Sequence, residues 1–225
     1  MTHRAIRRSV RPRSRLTILL LILLLQVGAA AAAVAPGDGD FQGCPVQGQG
    51  GDPDLNRLKN RSAQVSTTEP MTVAQINALS QPLEALHGKR ATWPAGTVAE
   101  VSALERTGVV VEGFLIGAKQ SGTETTNCQR KNLRDYHLWI VDGRDQTRAQ
   151  AVVAEVTPRW LASNRGWHLQ TLGRLAKQRA RVRLTGWLML DPEHPDQIGK
   201  TRGGLWEVHP ITKIEVFSGG SWIEL

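Results

Sequence analysis

From residue 108 to residue 217, apolar and polar positions alternate in short runs, the pattern of β-strands with one buried face. A helical repeat of apolar residues separates the third run from the fourth. The predicted strands are residues 108–118, 135–141, 151–157, 181–190 and 205–217, and the predicted helix is residues 167–178. The order β-β-β-α-β-β is that of a five-stranded OB-type barrel, so the sequence predicts a mainly β protein with an OB-like barrel. Pro210 interrupts the fifth strand and predicts a bulge or bend there.

Upstream of the strands, apolar residues recur every three or four positions over residues 71–86, which predicts helical structure. Thr72 is a candidate N-cap, and Pro82 predicts a kink or two short helices. Trp93, Pro94 and Gly96 predict a turn into the barrel. The predicted organisation is a signal peptide (1–35), a flexible lead-in (36–70), a helical extension (71–96) and an OB-like barrel domain (97–225).

Strand alternation also predicts which residues point away from the core. In the second strand the more apolar set, which includes Leu138 and Ile140, should face inward. Strands two, three and five are neighbours in an OB barrel, so their outward residues should form one patch. The members of that patch are His137, Trp139, Glu155, Glu207 and His209.

The patch lies between two long predicted loops, where OB barrels bind oligonucleotides or oligosaccharides. The loops supply the cations Lys131, Arg134, Lys200 and Arg202. Cations beside an aromatic platform at Trp139 fit an anionic or planar ligand. The sequence therefore predicts a binding or interaction module whose partner is an oligonucleotide, a glycan or an envelope protein. No cofactor is predicted, and a purely structural role is an equal alternative.

A second hypothesis is enzymatic. His137, Glu155 and His209 would hold a divalent metal ion if their side chains converge, which would make the protein a metal-dependent hydrolase of the phosphodiesterase type. His194 in the second long loop would add a ligand or a general acid. The competing interpretation pairs Glu155 and Glu207 with nearby arginines and leaves His209 as the end of a strand. The sequence contains no nucleophile elbow, phosphate-binding loop or HExxH motif.

The first 35 residues have the layout of a secretory signal: arginines, the apolar run of residues 16–25, then alanines up to Ala33. They predict export to the periplasm or the extracellular space. An uncleaved membrane anchor is the alternative, since residues 16–34 are almost entirely apolar. This leader carries six of the 28 Lys and Arg residues and none of the 20 acidic residues, so the net charge of +8 falls to +2 without it. The high isoelectric point is thus no evidence for a basic nucleic-acid-binding face.

The chain has two cysteines, Cys44 and Cys128. In an exported protein an even number predicts a disulfide bond, which would tie the lead-in to a loop of the barrel. Two unpaired thiols are the alternative.

Residues 181–216, together with residues 123–128 (TETTNC), 135–137 (DYH) and 155–158 (EVTP), resemble a group of exported bacterial proteins with an OB-like fold and no assigned activity. The resemblance covers about half of the chain, from the first predicted strand to the fifth. It implies export and an OB-like barrel, and it implies no catalytic residue.

Overall fold

The computed structural model describes Met1 and residues 39–87 and 90–225, so the predicted signal peptide lies outside the described residues except for Met1. The strands are β1 (Thr68–Met71), β2 (Gly108–Gln120), β3 (Tyr136–Val141), β4 (Val152–Val156), β5 (Arg181–Leu190), β6 (Trp206–Ser218) and β7 (Ser221–Glu224). The helices are α1 (Pro53–Lys59), α2 (Val73–Asn77), α3 (Leu83–His87), α4 (Ala95–Leu104), α5 (Pro158–Ser163) and α6 (Leu169–Lys177).

Five of these strands close into a barrel in the order β2-β3-β4-β6-β5, with β5 pairing back onto β2. Neighbours are antiparallel except for β4 and β6, which are parallel. Helix α6 connects β4 to β5, as the helical repeat predicts. The prediction of a mainly β, OB-like barrel is therefore confirmed, including the adjacency of β3, β4 and β6.

The bulge predicted at Pro210 is present, although β6 continues through it. Gly186 pairs with Ile211 and Leu188 pairs with Val208, so two residues of β6 lie opposite a single residue of β5. A Cβ atom at Gly186 would lie 2.5 Å from the carbonyl oxygen of Pro210. Only glycine fits where the two backbones approach this closely.

The predicted inward residues form the barrel core. Leu138, Ile140 and Val208 are fully buried, and Leu172 of α6 packs into the same cluster. An α-helix with one apolar stripe can close the end of a barrel in this way because its other face remains in solvent.

The segment before the barrel is more structured than the sequence predicts. Thr72 caps α2, and two short helices, α2 and α3, lie on either side of Pro82 as predicted. Strand β1 and helix α4 were not predicted; α4 occupies the region read as a turn. Helix α4 buries only Val101 and so has little periodic signal. A buried ion pair between Arg90 and Glu105 holds its end.

The described part of the lead-in is bound to the barrel. A disulfide joins Cys44 to Cys128, which confirms the predicted pairing. The side chain of Asn60 donates to the carbonyl oxygens of Val46 and Thr126. These bonds fix the loop between β2 and β3 against residues 44–60.

Within the described ranges, no helix is both long enough and apolar enough to cross a bilayer. The alternative of a membrane anchor concerns residues 16–34, which lie outside the described residues.

Candidate metal centre

The outer faces of β3, β4 and β6 bring five acidic and imidazole side chains together. Asp135 and His137 share one face because they are two residues apart, and so do Glu207 and His209. His137 pairs with Glu155 across the β3–β4 ladder, and Ala154 pairs with Val208 across β4–β6. The register therefore sets Glu155 between the two histidine-bearing strands. Glu124, from the loop after β2, completes what we call the acidic-histidine cluster: Glu124, Asp135, His137, Glu155, Glu207 and His209.

Glu155 lies at the centre of this cluster. One of its oxygens, Oε1, is 3.3 Å from His137 Nε2, and the other, Oε2, is 3.3 Å from His209 Nδ1. His209 Nδ1 is also 3.5 Å from Glu207 Oε2, and His209 Nε2 is 3.7 Å from Asp135 Oδ2. His137 Nε2 is 3.7 Å from Glu124 Oε1. Asp135, Glu155 and His209 each offer a ligand atom within 4.8 Å of the other two.

Several polar atoms of the cluster are buried without a hydrogen-bond partner among the described residues. They are Asp135 Oδ2, His137 Nε2 and both ring nitrogens of His209. Asp135 and His209 have no solvent exposure at all (0%). An unsatisfied buried polar group costs about 1–3 kcal/mol, so four such atoms in one cluster are a large local cost.

Burial and mutual repulsion shift the titration of the cluster. Burial, together with the charge of Glu124, raises the pKa of Asp135 to about 7. Burial and the charge of Glu207 raise the pKa of Glu155 well above its usual range. Burial lowers the pKa of His209, which favours its neutral imidazole. Burial alone would raise the pKa of Glu124, but the hydrogen bond with His137 and the charge of Lys59 lower it to about 2.

The groups behind the cluster hold it in place. Asn127 Nδ2 donates to Asp135 Oδ1 at 2.7 Å, which leaves Oδ2 facing His209. Arg202 donates to Glu207 at 2.5 Å and to Asp191 at 2.8 Å. Glu207 therefore does pair with an arginine, as one interpretation of the sequence predicts. The ion-pair contacts of Glu155 within the described part of the chain are only with His137 and His209.

Two adjoining cavities open onto the cluster, with volumes of about 450 and 260 Å³. They share a lining formed by Ser121, Gly122, His137, Glu155 and His194. The loops after β2 and β5 form their rims, which is the ligand-binding position of an OB-type barrel.

A larger cavity of about 630 Å³ lies beside β1 on another face of the barrel. Its charged lining residues are ion-paired, Glu112 with Arg183 and Lys213 with Glu215.

The predicted aromatic platform is wrong. Trp139 does point outward, but it is only 7% exposed. The guanidinium of Arg148 lies 3.9 Å from the centre of its ring, and its Nε1 donates to the carbonyl oxygen of Thr201. These covering groups come from the loops after β3 and β5, so strand alternation carries no signal for them.

The four predicted cations do not surround Trp139 as the sequence predicts. Arg202 is buried and ion-paired beneath the cluster. Arg134 donates to the side chain of Gln120. Lys131 and Lys200 are exposed, and neither lines the two cavities at the cluster.

Sequence reasoning missed Asp135 and Glu124. Asp135 has the same parity as His137, so alternation alone would have placed it in the patch. Glu124 lies in a polar loop, and its position depends on contacts with residues far away in the chain. Lys59, which lines the larger of the two cavities, comes from α1 and carries no sequence signal for this site.

Comparisons with known proteins assign no function to this site. No family model matches the chain, and no curated protein matches it. Among solved structures, an aspartyl tRNA synthetase from Entamoeba histolytica aligns with a TM-score of 0.32 and 14% identity, over 73% of this chain and 28% of that one. The chain thus spans 28% of the synthetase's length, and a likeness this weak carries no argument about function.

Proposed function

We propose that this protein is exported, binds a divalent transition-metal ion in the acidic-histidine cluster, and uses that ion to bind an anionic ligand. The observation that carries the proposal is that the buried side chains of Asp135, Glu155 and His209 each offer a ligand atom within 4.8 Å of the other two. Among the described residues, Asp135 Oδ2 and both ring nitrogens of His209 make no hydrogen bond.

The spacing of the atoms supports a metal ion over direct hydrogen bonding. N–H···O hydrogen bonds span about 2.7–3.2 Å. Ligands at about 2.0–2.2 Å from one tetrahedral ion lie about 3.3–3.6 Å from each other. His209 Nδ1 is 3.3 Å from Glu155 Oε2 and 3.5 Å from Glu207 Oε2, and both distances lie in that second range.

The charge of the cluster also favours a cation. Among the described residues, the salt bridges of Glu124, Asp135 and Glu155 are with histidines, and none of them joins these three carboxylates to a lysine or an arginine. Burial raises the pKa values of Asp135 and Glu155, and a bound divalent ion would restore the charged forms of these two carboxyl groups. Imidazole together with carboxylate is a donor set that suits Zn²⁺ or Mn²⁺ better than Ca²⁺.

Export is supported by the disulfide, since such bonds persist in oxidising compartments. The layout of residues 1–35 and the resemblance to exported bacterial proteins agree with it. Stacking of an oligonucleotide or a glycan on Trp139 loses its support because that ring is covered. The part of the prediction that we keep is that the ligand is negatively charged, because a bound metal ion would attract an anion.

The test is metal content. We expect the chain, produced with its own leader and purified after export, to hold one equivalent of Zn²⁺ or Mn²⁺ by elemental analysis. After chelation, calorimetric titration with each ion should restore it, and inorganic phosphate should bind only to the loaded form. Glu155→Gln keeps the shape of the side chain and should abolish metal binding. His168→Ala, at an exposed histidine in another part of the fold, is the matched control. A folded protein that takes up neither ion would refute the proposal.

A further inference from the structure

We propose that the metal-loaded cluster hydrolyses phosphodiesters, and that His194 is the catalytic residue that donates a proton to the leaving oxygen. This inference rests on the metal site proposed above and adds an activity to it.

His194 is built into a carboxylate–histidine pair. Its Nδ1 is 2.6 Å from Asp191 Oδ2, and Asp191 is buried. Asp191 is in turn held by Arg202 at 2.8 Å and by the backbone N–H of Glu193 at 2.9 Å. An imidazole whose Nδ1 is bound in this way has a fixed orientation, and its Nε2 is the nitrogen left for a molecule in the cavity.

The pair faces the cluster across open space. The side chain of His194 is 40% exposed, and it lines both cavities together with His137 and Glu155. A ligand that fills these cavities therefore contacts His137 and Glu155 of the cluster as well as His194. The hydrogen bond with Asp191 raises the pKa of His194, so the protonated ring persists toward neutral pH.

The charges around the cavity indicate the class of substrate. Lys59 is buried in its wall, 2.8 Å from Glu193, and the charges of Asp191 and Glu193 raise its pKa against the effect of burial. Its ammonium group and a bound metal ion would both attract a phosphoryl group. The carboxylates of Glu124 and Glu193 line the same space, so a diester with a single negative charge fits better than a doubly charged monoester.

The step is a hydrolysis. A bound divalent ion supplies polarisation of a water molecule and of the phosphoryl oxygen. The water oxygen forms a new bond to phosphorus while the bond from phosphorus to the leaving oxygen breaks. The leaving oxygen takes the proton of the His194 imidazolium, and the proton lost by the water returns through solvent to the imidazole. The products are a phosphomonoester and an alcohol.

The experiment uses the metal-loaded full chain and bis(p-nitrophenyl) phosphate as the probe, with p-nitrophenyl phosphate and p-nitrophenyl acetate for comparison. We expect metal-dependent release of p-nitrophenol from the diester and slower release from the monoester. On diphenyl phosphate, His194→Asn should lower kcat about 100-fold or more, with little change in KM or metal affinity. The loss of kcat should be larger for diphenyl phosphate than for bis(p-nitrophenyl) phosphate. Phenol is the poorer leaving group, so its departure depends more on the proton. If His194 were merely structural, the effect of its substitution on kcat would be the same for both leaving groups. His168→Asn is the control.

The outcomes separate the two proposals. A protein that binds metal but hydrolyses neither phosphate probe overturns the hydrolysis and leaves the metal site standing. Faster turnover of the monoester overturns the assignment to phosphodiesters. Unchanged kcat of His194→Asn on diphenyl phosphate overturns the role of His194. A folded protein that binds no metal overturns both proposals.

Discussion

The disulfide between Cys44 and Cys128 provides a prediction whose size follows from the fold. The two cysteines are 84 residues apart, and the bond closes a loop of that length in the unfolded chain. The loss of chain entropy that such a loop imposes on the unfolded state amounts to about 4.5 kcal/mol at 25 °C. We therefore expect the double variant Cys44→Ser/Cys128→Ser to lose about 3–5 kcal/mol of unfolding free energy.

The assay is urea unfolding of the oxidised protein, the double variant and the chemically reduced wild type, followed by tryptophan fluorescence. The reduced wild type is the control, because it lacks the bond and keeps the sequence. A loss below about 1 kcal/mol in both samples would refute the reasoning. It would mean that the unfolded chain already keeps the two cysteines close together, so that the bond removes little entropy from it.

Three further predictions concern the site and the barrel. Asn127→Ala removes the donor that orients Asp135, so we expect metal affinity to fall about 10–100-fold in calorimetric titration; unchanged affinity would exclude Asp135 as a ligand. Gly186→Ala places a Cβ against the carbonyl oxygen of Pro210, so thermal unfolding should show a loss of about 1–3 kcal/mol, and a neutral result would contradict the described β5–β6 bulge. Burial alone would raise the pKa of Asp191, but the hydrogen bond with His194 and the nearby cations hold it well below its usual range. Because a lowered pKa stabilises the fold only while the group is ionised, the stability gap between wild type and Asp191→Asn should be largest at neutral pH and shrink as the pH falls below 3.8. A gap that is constant from pH 7 to pH 3 would contradict this.

Metal binding and the disulfide are linked through the loop between β2 and β3. This loop carries Glu124 of the cluster and Asn127, which orients Asp135. Cys128 follows directly and ties the loop to the segment before α1. The cluster is therefore assembled from three strands of the barrel and one loop whose position is set by a covalent bond outside the barrel.

Much of the barrel could be predicted because its signals are local. The ends of strands β2 to β6 lie within two residues of the predicted ranges, and alternation assigned Leu138 and Val208 correctly to the core. Helix α4 was missed because it buries one residue and is held by the Arg90–Glu105 pair instead of an apolar stripe. Strand β1 was missed because it is short, contains a proline and is mostly exposed.

The candidate site was predictable only in part. The same alternation that built the core brought His137, Glu155, Glu207 and His209 to one face, since neighbouring strands in register hold outward residues side by side. Alternation gave no information about how deeply these side chains are buried. His209 is outside the barrel wall yet fully buried, because other parts of the chain lie over it.

The sequence by itself determined the order of the strands and the inward and outward residue of each pair, because these depend on a period of two residues. Its two cysteines predicted a disulfide, and the structure decided between that bond and two unpaired thiols. Tertiary structure alone decided that Trp139 is covered, since its hydrogen-bond acceptor, the carbonyl of Thr201, is 62 residues away in the chain. It also decided that Glu124 and Lys59 line the same cavity as His137 and His194. Contacts between segments so far apart depend on how loops and helices settle on the finished barrel, and no local pattern along the chain encodes that arrangement.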